Sequence, residues 1–163
     1  MKPIDVIPLA GRACFGDPGL RLLEDLTAAL ARAFRVTCRI QPEVFDISAT
    51  WDAGRGQYYS TAILQRLARA NSLDVRVLGV TVCDLYVPVL TFVFGEAQLE
   101  GNCAVASAAR LKEEFYGLPR RDELLRERLL KEAAHELTAA EIKRKELIEQ
   151  IDLRLVPDRE GLR

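Results

Sequence analysis

A chain of 163 residues with 49% hydrophobic side chains is long enough to bury a sizeable core and too short for two ordinary domains. Its 23 basic and 24 acidic residues leave a formal net charge of -1, which removes the electrostatic case for nucleic acid or an anionic membrane as a partner. Cys14, Cys38, Cys83 and Cys103 are far apart and form no C-x-x-C pair, a usage expected of buried thiols in a reduced, cytoplasmic protein rather than of a disulfide scaffold.

Residues 4–9 read as a first strand. Asp5 interrupts the short apolar run and the segment holds two prolines, Pro3 and Pro8, which is the pattern of neither a signal peptide nor a membrane span. A Gly16-Asp17-Pro18-Gly19 loop leads to Leu22, Leu23, Leu26, Ala29, Leu30 and Ala33, whose spacing predicts an amphipathic helix. Val36, Cys38 and Ile40 alternate as in a strand, closed by Pro42. After the glycines 54 and 56, Ser60 or Thr61 is placed to cap a second helix with the apolar face Ile63, Leu64, Leu67 and Ala68. Residues 75–81 and 90–94 read as further strands, and 104–108 as one more. Strands alternating with helices predict an α/β domain with a mixed sheet.

From Asp122 to about residue 153 the chain lacks Gly and Pro and is rich in Leu, Glu, Arg, Lys and Ala, which predicts one long helix. Leu130, Leu137, Arg144 and Ile151 share one heptad position, and Ala133, Ala140 and Leu147 a second. Such a stripe packs on its own domain or forms a seam for dimerisation, giving a homo-oligomer through the C-terminal helix, or for a partner helix. At roughly 30 residues and 1.5 Å each the helix spans about 45 Å, more than a domain of this size needs.

The chemistry-bearing segment is His135-Glu136-Leu137, the opening of a His-Glu-x-x-His zinc motif. Two imidazoles at i and i+4 share a helical face and reach one zinc ion, while the intervening Glu activates its water. Here Ala139 stands at i+4, and His135 is the only histidine. Ser60, Thr61 and Ser107 have no histidine or lysine base to make them nucleophiles, and Gly54-x-Gly56 matches neither phosphate-binding pattern.

Several stretches resemble one known family, the archaemetzincins, which are compact zinc-dependent metallopeptidases. They are Ile4-Asp5-Val6-Ile7-Pro8-Leu9, Arg55-Gly56-Gln57-Tyr58-Tyr59-Ser60-Thr61, Leu78-Gly79-Val80-Thr81, Asp84-Leu85-Tyr86-Val87-Pro88 and Phe92-Val93-Phe94-Gly95-Glu96-Ala97. The likeness continues through Ser107, Arg110-Leu111, Glu114-Phe115-Tyr116-Gly117 and Lys131-Glu132-Ala133 to His135-Glu136-Leu137, and so covers residues 3–137. It implies a metzincin-like N-terminal subdomain at residues 1–121, a mixed sheet with covering helices. Residues 122–163 would carry the active-site helix, extended into a long C-terminal helix that replaces the usual C-terminal subdomain.

The family's helix reads His-Glu-x-x-His-x-x-Gly-x-x-His/Asp-Cys, followed by further cysteines and a methionine. The resemblance therefore implies His135 as first zinc ligand and Glu136 as general base. Ala139 replaces the second ligand, Ile142 the glycine, Lys145 the third ligand and Glu146 the first cysteine. The sole methionine is Met1 and no cysteine follows Cys103. Two readings stay open. One is an inactive homologue, with zinc the family's cofactor but none expected in this chain. The other is an active zinc peptidase that completes its site with Glu136, Glu141 or residues of a second chain. The family also binds substrate as an added strand on the sheet edge, which here implies Thr91, Phe92, Val93, Phe94 and Gly95 with a peptide or protein as partner. By alternation the same phenylalanines, or Val93, read equally as core, and Tyr58, Tyr59 and Tyr86 face the same choice.

Overall fold

The computed structural model describes residues 2–12, 19–98 and 101–155, with side chains in the last helix described up to Glu141. Strand β1 (Ile4–Ala10) is followed by helix α1 (Leu20–Phe34), then by β2 (Cys38–Ile40) and β3 (Phe45–Asp46). The short strands β4 (Trp51–Asp52) and β5 (Gln57–Tyr59) lead into α2 (Ser60–Ala70) and β6 (Arg76–Thr81). Strands β7 (Leu85–Tyr86), β8 (Gly95–Ala97) and β9 (Cys103–Ser107) precede α3 (Asp122–Leu155). The mixed α/β architecture and the long last helix are those the patterning predicts.

The main sheet has the order β2-β1-β6-β9-β8, with β3 pairing the far end of β1. All its pairings are parallel except the last, where β8 runs antiparallel to β9. A second, small sheet has the order β4-β5-β7. Strand alternation sends Ile4, Val6, Leu78, Val80, Ala104 and Ala106 to one face, where they meet Leu23, Leu26 and Leu30 of α1 and Leu129, Ala133 and Leu137 of α3. Ile7, Leu9, Val77, Cys103 and Val105 go to the other face, against Ile63, Leu64 and Leu67 of α2. The sheet is thus covered on both sides, as central parallel strands require. Gly79 lets α2 lie close, since a Cβ there would come within 2.7 Å of Leu9 Cδ1 and 3.0 Å of Leu67 Cδ1.

Leu30 is fully buried between α1 and the sheet. Leu30→Ala is expected to destabilise the fold by roughly 2–5 kcal/mol, measured by chemical unfolding, because the packed layers around it cannot collapse into the cavity. A loss under about 1 kcal/mol would mean that α1 is not held as described.

Three expectations are corrected. Residues 90–94 are not a strand; they lie in a loop whose one ladder contact with the small sheet is an isolated bridge of Val93 to Leu85, and the strand begins at Gly95. Neither Ser60 nor Thr61 caps α2, which starts at Ser60 with no side-chain cap bond. Cys83 is disulfide-bonded, whereas Cys38 and Cys103 are free. Sequence spacing says nothing of which thiols meet in space; Cys14 lies outside the described residues. Among the described residues no helix is long and apolar enough to cross a membrane.

Candidate functional site

Helix α3 crosses the sheet beneath β9 and β8, which brings the His135-Glu136 pair to the sheet edge. Successive helical residues point about 100° apart, so the two diverge. His135 is exposed, and Glu136 is buried on the sheet side. Gly95 makes room for that arrangement. A Cβ at Gly95 would meet Val105 O at 2.6 Å, Glu136 Cγ at 2.9 Å and Glu132 Oε1 at 3.0 Å.

Strand β8 is an edge, since it pairs only with β9, through Gly95–Ala106, Glu96–Val105 and Ala97–Ala104. Ser107 N–H donates to the Phe94 carbonyl at 2.8 Å and Gln98 N–H to the Cys103 carbonyl at 2.9 Å. In an antiparallel ladder bonded positions alternate, so Gly95 and Ala97 turn their main-chain N–H and C=O away from β9. Glu96 faces α2 and accepts hydrogen bonds from the Ser60 hydroxyl and, at 2.8 Å, from the Thr61 hydroxyl. These are the hydroxyls that the sequence offers as caps. They tie the edge to the start of α2, where a carboxylate also suits the helix dipole.

The loop before this edge is held by side chains. Arg55 Nη2 donates to the carbonyls of Leu90 at 2.7 Å and Thr91 at 3.3 Å, and its guanidinium stacks 4.1 Å over the Tyr86 ring. Gln57 Nε2 donates to the Thr91 carbonyl and to Asp84 Oδ2, both at 2.9 Å. Arg110 forms a bidentate pair with Asp84, with both bonds at 2.8 Å, and lies 4.1 Å over Phe92 and 4.8 Å over Phe115. The hydrogen bonds to Asp84 raise the Arg110 pKa above its ordinary value. Asp84 is thus the hub joining β5, the loop and the segment after β9. Sequence reasoning gave Arg55, Gln57, Asp84 and Arg110 no role of their own; their clustering in the family-like stretches was the available signal.

Of the residues implied for peptide binding, Thr91 and Phe94 are exposed, Phe92 and Val93 are half-buried in the clamped loop, and Gly95 opens the edge strand. Phe92 and Phe94 meet edge to face at 5.2 Å. Tyr58 and Tyr86 are buried, and Tyr59 stacks on Tyr86 at 5.4 Å.

The donor set does not suit a catalytic zinc, which takes three protein ligands. His135 faces solvent and half-buried Ala139 stands where the next ligand belongs. Among the described residues no group of three or more His, Cys, Asp or Glu could hold a metal ion. Burial pushes the Cys103 thiol up to about 11, so it stays protonated at neutral pH.

No family model matches the chain. It is similar to the archaemetzincins of Methanocaldococcus jannaschii, 42% identical over 122 residues, and of Archaeoglobus fulgidus, 39% identical over 116 residues. These matches cover 75% and 71% of the chain, which spans 66% of each relative's length. The crystal structure of the A. fulgidus archaemetzincin complexed with malonate superposes with a TM-score of 0.68 at 34% identity, covering 85% of this chain and 77% of that one. A zinc-dependent peptidase from Methanocorpusculum labreanum superposes with a TM-score of 0.72 at 26% identity, covering 84% and 80%. On its sequence and on its fold, the chain belongs to the archaemetzincin family.

Proposed function

We propose that this chain is a catalytically inactive archaemetzincin that holds an extended peptide along β8. The observation that carries the first half is the helix itself: a lone, solvent-facing His135 with Ala139 four residues on, and Glu136 drawn under Gly95. One imidazole does not hold a catalytic zinc against water, and without the metal Glu136 has no activated water to deprotonate. The second half is supported by the outward main-chain groups of Gly95 and Ala97 on a braced strand. Such a strand recruits a peptide through backbone hydrogen bonds that need no metal.

Elemental analysis of untagged protein is expected to find zinc far below one ion per chain. Labelled extended peptides should bind without being cleaved. N-methylation of a bound peptide at alternate residues should abolish binding in one register and spare it in the other, because only every second N–H faces the edge. Near-stoichiometric zinc that His135→Ala removes, together with chelator-sensitive cleavage, would overturn this reading in favour of a zinc site completed by unusual ligands. Binding indifferent to N-methylation in both registers would overturn the edge assignment alone.

A further inference from the structure

Beyond the start of β8, on the side of the sheet that α3 covers, the surface opens into a groove of about 420 Å³. Its apolar walls are Phe94, Leu111, Tyr116 and Leu118, of which all but Leu111 are exposed. The wall is held in place, since the Tyr116 hydroxyl donates to the Arg110 carbonyl at 2.8 Å and Phe94 rests on Phe92. The charges around it are already matched. Arg128 Nη1 donates to Glu113 at 2.6 Å and to the Leu111 carbonyl at 3.0 Å, and Arg110 is taken up by Asp84. An apolar side chain entering the groove leaves water at a gain, whereas a charged one loses hydration and finds no free counter-ion.

The edge strand aims a peptide at this groove. Gly95 and Ala97 pair with Ala106 and Ala104, whose side chains lie on the α3 face, and a Cβ at Gly95 would meet Glu132 and Glu136. Directly opposed residues of paired strands share a face, so the peptide residue opposite Gly95 turns its side chain toward α3 at the level of Glu132. In the antiparallel pairing, the stronger of the two ladders, the next residue on that face comes two places later in the peptide, beyond the start of β8 and about 7 Å away. Arg128 stands one turn before Glu132, about 6 Å back along α3, and with Phe94 it bounds the groove. The two steps match.

We infer that the groove is a specificity site for the peptide held on β8, taking a large apolar side chain from the residue two places C-terminal to the one opposite Gly95. This rests on the peptide-edge reading and adds to it the kind of sequence selected.

The test uses labelled Ser/Thr host peptides carrying Phe, Ala or Glu at one position in turn, with N-methylation marking the residues whose N–H meets β8. At one position Phe is expected to bind about tenfold tighter than Ala, and Glu more weakly than Ala. That position should stand two places after a residue whose N-methylation abolishes binding. Leu118→Glu, at an exposed wall, should bring the Phe-to-Ala ratio near one and turn the preference to Lys, with the melting temperature unchanged. Binding that depends on N-methylation yet ignores the Phe, Ala and Glu series would overturn the specificity site and leave the edge standing. So would a Phe preference that Leu118→Glu leaves intact. Hosts that fail to bind, or that bind in both N-methylated registers, would overturn the edge and the specificity site with it.

Discussion

Replacing Asp84 with alanine is expected to cost about 3 kcal/mol of folding stability, roughly 10 °C in melting temperature for a domain of this size. The carboxylate takes two bonds from Arg110 and one from Gln57, and both members of the ion pair are about four-fifths buried, with side-chain exposures of 22% and 20%. Its removal leaves a largely desolvated guanidinium without its counter-ion, which costs more than the pair itself contributes. The damage should also spread to function. Arg110 and Gln57 both hold the 87–94 loop, so limited proteolysis should cut there first, and peptide binding at β8 should weaken. Asp84→Asn, which keeps an acceptor for both partners, should lose less than half as much. If Asp84→Ala melted within about a degree of the parent, the hub would carry no such weight.

The second large effect is a gain. Ala139→His restores an i, i+4 imidazole pair with His135 on the helix surface, and so should create zinc affinity where the parent has little. Zinc at a hundredfold excess over its dissociation constant would stabilise the variant by about 2.7 kcal/mol, visible as a rise in melting temperature that His135→Ala abolishes. Peptide hydrolysis should remain absent, because the third ligand position is Lys145. A parent already stabilised by zinc to the same extent would sink this expectation, and so would a variant indifferent to the metal.

What could be read from the residues follows from length and period. The strand at Ile4, the helices at Leu22 and Ile63 and the thirty-residue run after Asp122 carry repeats long enough to be unambiguous, and all are present. The small sheet has strands of two or three residues, too short to show any period. The run Thr91-Phe92-Val93-Phe94 has strand composition, yet its shape comes from Arg55, Gln57 and Arg110, distant in sequence. Ser60 and Thr61 read as caps because hydroxyls commonly are; only the fold shows that Glu96 claims both. The interruption of the zinc motif at Ala139 was legible at once, being a matter of spacing on one helix. That Glu136 would turn inward while His135 faced water depended on where the sheet edge lay.

The strand order has a consequence for how the chain acquires its shape. β1 lies inside the sheet, yet its register joins Ile4 to Arg76, so this strand must wait for a neighbour that leaves the ribosome much later. The apolar face of β9, with Ala104 and Ala106, waits longer still, for Leu129, Ala133 and Leu137 of the final helix. Contacts so distant in sequence slow folding, and an exposed parallel sheet is prone to aggregate in the interval. The last helix therefore does more than carry the His135-Glu136 pair: its first turns shut the core, so the sheet face stays open until they arrive.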